Sequence, residues 1–293
     1  MQCAPLWDAS LCQFVGLLTV TDFIDVLRYY RVTRTDITTL ATRTIAEIFS
    51  DTAMMNSVLQ RFPPRRVNVS LDSSHHDPAT AGAVVNQHTS FISADANTTL
   101  KQACRILHTH ALDFLSVLYP DDMRILSAIT YTTVLEYLVT HFREQRRLFD
   151  DTVYDLGIGT YNEHVVTISL YQTLEDALHL MQVHGLSAIP VVDPLTFKIK
   201  GVYSRSDITF LASASDAEDA LSNLEMTLEA LLLQQRTDVT TPDALHTCST
   251  QHTLQSIFEY FAQWKFNRLI VLDDEERVKG VVSARDLVAY FLD

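Results

Sequence analysis

Three aspartates stand where an apolar segment gives way to a turn or helix. Asp22 closes Gly16-Leu-Leu-Thr-Val-Thr-Asp22, Asp207 closes Gly201-Val-Tyr-Ser-Arg-Ser-Asp207, and Asp286 closes Gly280-Val-Val-Ser-Ala-Arg-Asp286. A carboxylate in that place has two chemical uses. It can accept two hydrogen bonds from a vicinal diol such as that of a ribose, and a charged acceptor makes the stronger bonds. It can equally satisfy orphan backbone N–H groups at the start of a helix, as a nearby serine can. Position alone leaves both uses open.

Other residue groupings are chemically weaker. His108-Thr-His110, His179 with His184, and Cys248 with His252 contain metal-ligating types. None has a complete four-ligand spacing, and no His-Glu-x-x-His is present, so no metal site is expected. Gly157-Ile-Gly159 lacks the third glycine of a dinucleotide loop. There is no Gly-x-Ser-x-Gly, no Walker loop and no convincing carboxylate pair, which predicts a chain without catalytic activity.

The elements that must hold these aspartates form a repeat. Ile189-Pro-Val-Val-Asp193, Leu269-Ile-Val-Leu-Asp273 and Ala4-Pro-Leu-Trp-Asp8 precede Asp207, Asp286 and Asp22, and the aspartate pairs are 14, 13 and 14 residues apart. A fourth copy runs from Val117-Leu-Tyr119 to Thr133, which stands where the others have Asp. Upstream, Leu100, Ala103, Cys104 and Leu107 form the apolar stripe of an amphipathic helix. Leu174, Ala177, Leu178 and Met181 form another, and Leu254, Ile257, Phe258 and Phe261 a third. From each stripe's first Leu to the terminal Thr133, Asp207 or Asp286 is 33, 33 and 32 residues respectively. Each unit therefore reads as helix, apolar strand, turn, second apolar strand and second helix.

The expected organisation is a first unit over 1–51, a flexible insertion over 52–90 and a second unit over 91–143. A third unit follows over 153–214, a helical linker over 215–236 and a fourth unit over 237–293. By this register the first unit lacks its first helix and first strand. Its apolar residues Leu17, Val20 and Ile24 are then expected to be partly uncovered.

Composition bounds the partners. Lys+Arg number 22 against Asp+Glu 36, a formal net charge of −14, which disfavours nucleic acid and anionic membrane surfaces. No apolar run approaches a membrane span, and the segment MQCAPLWD has no secretory pattern. The four scattered cysteines fit a reduced intracellular compartment.

These repeats resemble CBS motifs. Pro5-Leu-Trp-Asp8, Phe14-Val-Gly-Leu-Leu-Thr-Val-Thr-Asp-Phe-Ile24, Tyr29-Tyr30, Leu156-Gly-Ile-Gly-Thr-Tyr161, Ser187-Ala-Ile-Pro-Val-Val-Asp193 and Asn267-Arg-Leu-Ile-Val-Leu-Asp273 are similar to the gamma (regulatory) subunits of AMP-activated protein kinase. The resemblance implies an α/β (α+β) fold in which tandem CBS motifs pair into two modules that form a disk. It implies binding of the regulatory ligands AMP, ADP and ATP, with a kinase catalytic alpha subunit and a scaffold beta subunit as partners, in the cytoplasm and also the nucleus. Asp22, Asp207 and Asp286 then match ribose-binding positions. Thr19, Thr21, Thr160, Ser204 and Ser283 match hydroxyl positions, and Ser187 and Ala188 match a strand edge lining a pocket. The phosphate residues depart from the family pattern: Asp113 and Phe114 take the places of a His-Arg pair, Thr132 that of a lysine, and an arginine place falls near Gln2. Asn267-Arg268 keeps half of another pair. Arg205 and Arg285, beside the aspartates, are candidate substitute cations. The alternative reading is a structural CBS scaffold subunit with weakened or lost nucleotide binding.

Overall fold

A computed structural model describes residues 3–33, 42–50, 91–119, 121–141, 150–207, 211, 214–234 and 244–292. The 52–90 insertion and Gln2 lie outside the described residues. In chain order the elements are β1 (Cys3–Asp8), β2 (Gln13–Thr19), α1 (Val20–Thr33), α2 (Ile45–Ser50), β3 (Ser93–Asp95), α3 (Leu100–Thr109), β4 (Phe114–Leu118), β5 (Ile125–Thr130) and α4 (Tyr131–His141). They continue with β6 (Thr160–Tyr161), β7 (Ile168–Ser169), α5 (Leu174–His184), β8 (Ala188–Val192), β9 (Ile199–Ser204), α6 (Ala217–Ser222) and α7 (Leu228–Gln234). The last are β10 (Thr247–Ser249), α8 (Leu254–Trp264), β11 (Arg268–Leu272), β12 (Val278–Ser283) and α9 (Ala284–Tyr290).

The aspartate-to-aspartate spacing becomes hairpin register. In β8–β9, Ala188 faces Ser204 and Val191 faces Gly201, with a bulge between Val191 and Val192. In β11–β12, Arg268 faces Ser283 and Val271 faces Gly280, with a bulge between Val271 and Leu272. In β1–β2, Cys3 faces Thr19 and Leu6 faces Gly16, with a bulge between Leu6 and Trp7. One inserted residue at the same place turns all three hairpins in the same way. Beside two of them a short parallel strand adds on, β7 to β8 and β10 to β11.

The helix stripes start where a threonine can cap them. Thr99, Thr173 and Thr253 each precede the first leucine of their helix and accept the N–H of Gln102, Asp176 and Ser256. Gln102 and Asp176 reach back to close capping boxes.

The chain divides into two compact units, Met1–Thr19 with Pro64–Ile129 and Val20–Pro63 with Thr130–Asp293. In the first, α3 buries Ala103, Cys104 and Leu107 over the sheet β3-β4-β5, and Trp7, Phe14 and Phe91 stack in sequence. In the second, one cluster joins Ile168, Leu174, Leu178, Met181, Ile189 and Tyr203 to Leu224, Leu228 and Leu231 of the linker. The linker is thus part of the third repeat's core. Ile24 of α1 lies in the same cluster, fully buried, which corrects the expectation that it would be uncovered. Leu17 is half-buried, and among the described residues of the first repeat the exposed large apolar ones are instead Trp7, Leu11, Phe23, Val32 and Ile45. Helix α4 packs on α8 and α9 of the fourth repeat. Among the described residues no helix is long and apolar enough to cross a membrane.

Candidate functional site

The fourth repeat gathers its candidate residues at the junction of β12 and α9. Ser283, not Asp286, is the N-cap. Its Oγ accepts the Asp286 N–H at 3.2 Å, and Asp286 Oδ2 accepts the Ser283 N–H at 2.8 Å and its hydroxyl at 2.6 Å. This is a capping box with aspartate in the place usually taken by glutamate. Arg268 is the register partner of Ser283, and its Nη2 reaches Ser187 Oγ of the third repeat at 3.5 Å. Thr160 is brought in by β6, which pairs with β12 so that Thr160 faces Val281 and Tyr161 faces Gly280. Arg285 is half-buried in the first turn of α9. Arg268 of the fourth repeat thus meets Ser187 of the third beside the Ser283–Asp286 capping box, while Thr160 lies on the opposite edge of β12 from β11.

That approach depends on two glycines. A Cβ on Gly280 would lie 2.4 Å from the Tyr161 ring and 2.9 Å from the Thr160 carbonyl oxygen. Gly159 has φ +110°, and a Cβ there would lie 2.7 Å from the Val281 carbonyl oxygen. Tyr161 donates to the Ile158 carbonyl at 2.9 Å, and its hydroxyl is held protonated by burial first and by Cys248, Asp286 and Tyr154 nearby.

The third repeat places Ala188 opposite Ser204, the position equivalent to Arg268 opposite Ser283. The local bonding differs. Ser204 is buried, and its Oγ pairs with Ser206 Oγ at 2.7 Å and with the Ser187 carbonyl at 3.4 Å. The Asp207 N–H donates to the Ser204 carbonyl at 2.9 Å, closing a tight turn that leaves Asp207 half-buried. Arg205 is not a surface cation beside Asp207. It is 7% exposed, and its Nη2 donates to both oxygens of Asp25 at 2.9 and 3.0 Å. In the first repeat Thr19 ends β2, and Thr21 and Asp22 lie half-buried in the first turn of α1.

Sequence reasoning missed the charged cluster that Arg205 joins. Arg28 is buried, donates from Nε and Nη2 to Glu175 Oε1 at 3.0 and 2.9 Å, and from Nη1 to Gln182 Oε1 at 2.7 Å. Burial pushes the Asp25 carboxyl up, against the pull of Arg205 and Arg28. The available signal was Asp25 and Arg28, three apart, flanking the apolar Ile24 and Leu27 on one helix face.

The histidine and cysteine pairs do not converge as ligands. His252 Nδ1 accepts the Ser249 N–H at 3.1 Å, and burial pushes the Cys248 thiol up to about 12, far from the thiolate a metal needs. Among the described residues no three His, Cys, Asp or Glu side chains group as a metal site.

Comparison with known proteins bears on the whole chain. Residues 155–213 and 237–293 match the CBS domain family. A 5′-AMP-activated protein kinase subunit gamma of Dictyostelium discoideum is 27% identical over 99% of this chain and 45% of its own length. The gamma-3 subunits of Sus scrofa and Homo sapiens are 27% and 26% identical over 98% of this chain and 49% and 51% of theirs. The chain therefore spans about half the length of these curated relatives. In fold it is similar to a crystal structure from Methanocaldococcus jannaschii, proposed as an archaeal homologue of the kinase gamma subunit. The TM-score is 0.61 at 17% identity, over 99% of this chain and 88% of that one.

Proposed function

We propose, from the premise that residues 155–213 and 237–293 match the CBS domain family and the chain is similar to AMP-activated protein kinase gamma subunits over nearly its full length, that it is a non-catalytic regulatory subunit sensing AMP, ADP and ATP for a Ser/Thr kinase. Its partners on this reading are a catalytic alpha chain and a scaffold beta chain, in the cytoplasm and nucleus. The observation that carries the reading is the contact of Arg268 with Ser187 beside the Ser283–Asp286 pair at the start of α9, on a sheet whose edge strand carries Thr160. A nucleoside monophosphate needs an anionic acceptor for its ribose diol, a cation for its phosphate and hydroxyls between them. Asp286 supplies the first, its Oδ2 engaged by the capping box. Arg268 supplies the second, releasing Ser187 to do so. The third repeat offers Ser204 and Asp207, and the first Thr19, Thr21 and Asp22, as related and weaker places.

Calorimetric titration of the full chain with AMP tests this. Asp286→Ala is expected to weaken binding by about 1–3 kcal/mol, the scale of lost charge-assisted hydrogen bonds. Unchanged affinity in that variant counts against the site. The scaffold reading is favoured by one observation, that the Arg205 guanidinium is buried and donates to the Asp25 carboxylate. No saturable AMP binding by the wild type, with kinase chains still recovered in an affinity pull-down, would establish the scaffold reading.

A further inference from the structure

Three exposed apolar side chains of the third repeat lie together at one end of its sheet. Leu195 is 87% exposed, the highest value of any large apolar side chain among the described residues, and Phe197 is 62% exposed. Both lie in the turn that joins β8 to β9. Tyr171, 60% exposed, stands next to that turn, because the Leu170 N–H donates to the Val192 carbonyl at 3.0 Å. The turn is pinned. Asp193 Oδ1 accepts the Leu195 and Thr196 N–H groups at 2.9 Å each, and the Asp193 carbonyl accepts the Phe197 N–H at 2.8 Å. Phe197 has φ +58°, a left-handed backbone that bulky side chains rarely adopt. The fourth repeat closes its turn in the same manner with charged residues. There the Asp273 N–H donates to the Arg277 carbonyl, as the Asp193 N–H does to that of Lys198, and Glu276 takes φ +63°. Asp274, Glu275 and Glu276 are all exposed. The turn itself therefore asks for neither leucine nor phenylalanine, and apolar surface held rigidly in water is the mark of a contact site.

The charges on either side of the patch decide what it fits. The sheet order is β7-β8-β9, so the turn stands between two flanks. The β9 flank carries Lys200. The β7 flank carries Glu229, whose N–H donates to the Leu170 carbonyl at 2.9 Å. Both are exposed, and neither makes an ion pair among the described residues, whereas Lys198 is already paired with Glu276. A wholly acidic or wholly basic partner would satisfy one flank and repel the other. A basic flank, an apolar centre and an acidic flank are instead complementary to themselves under a two-fold rotation. We infer that this end of the third repeat is the contact surface of a homodimer. Leu195, Phe197 and Tyr171 of one copy pack on the same residues of a second, and each Lys200 meets the Glu229 of the other copy. The inference stands apart from the nucleotide reading and uses none of its residues.

The test is sedimentation velocity of the full chain over about a hundredfold range of concentration, since association follows mass action. The wild type is expected to pass from monomer to dimer as concentration rises. Leu195→Ser with Phe197→Asn is expected to stay monomeric throughout. Its urea midpoint should match or exceed that of the wild type, because both side chains are exposed and asparagine accepts the left-handed backbone. Lys200→Glu and Glu229→Lys should each weaken the dimer by about tenfold or more, since each sets like charges against one another. The two reversals together should restore the dimer to within about threefold, because each new pair is again of opposite sign. A wild type that remains monomeric across the range overturns the proposal. So does a dimer that survives Leu195→Ser with Phe197→Asn, because its contact then lies elsewhere. A paired reversal that dimerises no better than either single one overturns the two-fold arrangement, and with it the second copy as occupant. Assembly that grows past the dimer overturns it as well, because a self-complementary patch closes at two copies.

Discussion

Asp8, Asp193 and Asp273 hold one place in three hairpins and do one job. Each accepts backbone N–H groups at the turn: Ser10 and Leu11, Leu195 and Thr196, and Glu275 and Arg277 respectively. These bonds need the charged form and hold each carboxyl below its usual range. For Asp8 the Ser10 hydroxyl contributes most and for Asp193 the Thr196 N–H. At Asp273 burial pulls upward and is outweighed by Arg277. A carboxyl depressed by folding stabilises the fold above the unfolded pKa, and that contribution is lost as pH falls through the folded value. Acid sensitivity of the melting temperature is therefore expected below about pH 4. Asp193→Asn keeps the acceptor oxygen but cannot titrate. It should melt at nearly the wild-type temperature at pH 7 and lose less than the wild type between pH 4 and pH 2. At Ser283 the cap is at stake, and Ser283→Ala should lower stability by about 1 kcal/mol in urea unfolding. The turn aspartates were visible in the sequence as a spacing. That Ser283 and not Asp286 is the cap was not, because both residue types serve at a helix start and only backbone geometry separates N-cap from third position.

The element that decides the site is the two-residue strand β6. It leaves the run that opens the third repeat and joins the fourth repeat's sheet, in the order β10-β11-β12-β6. The hairpin ends of the two repeats are also tied, by the Ile199 N–H to the Glu276 carbonyl at 3.0 Å and by Lys198 to Glu276 at 3.0 Å. Gly280→Ala drives a methyl group into Tyr161 and the β6 backbone. It is expected to destabilise by about 1–3 kcal/mol, the usual range for overpacking. If β6 is what delivers Thr160, the same variant should weaken AMP binding, read by calorimetry at a temperature where it remains folded. Full stability in Gly280→Ala would mean that β6 does not hold to β12 in solution. Gly159 was noticed in the sequence only as part of Gly157-Ile-Gly159. Its purpose is the close approach to Val281, which no local pattern encodes.

At the scale of the folded unit, α1 belongs to the core of the third repeat, although it follows the first repeat's hairpin in sequence. Ile24 is fully buried there, while its neighbour Phe23 is 56% exposed. Ile24→Ala is expected to cost about 2–5 kcal/mol, as for a core truncation that leaves a cavity. Phe23→Ala should change stability by no more than about 0.5 kcal/mol. Urea unfolding followed by circular dichroism reads both. Equal effects would show that α1 is not packed through the face that carries Ile24, Asp25 and Arg28.

The sequence by itself determined the repeats, the strand–turn–strand units, the apolar stripes of α3, α5 and α8, and the positions of the recurring aspartates. Those features depend on residues within a few places of one another, where side-chain period and local hydrogen bonding leave a readable pattern. The partner of Arg205, the burial of Ile24, the meeting of Arg268 with Ser187 and the addition of β6 to β12 were decided only by the tertiary structure. Each joins segments far apart in the chain, up to 180 residues for Asp25 and Arg205. An arginine beside a candidate ribose aspartate looks the same in sequence whether it meets a phosphate or a buried carboxylate. Packing chose the carboxylate, because a guanidinium removed from water must have a charged partner at hand.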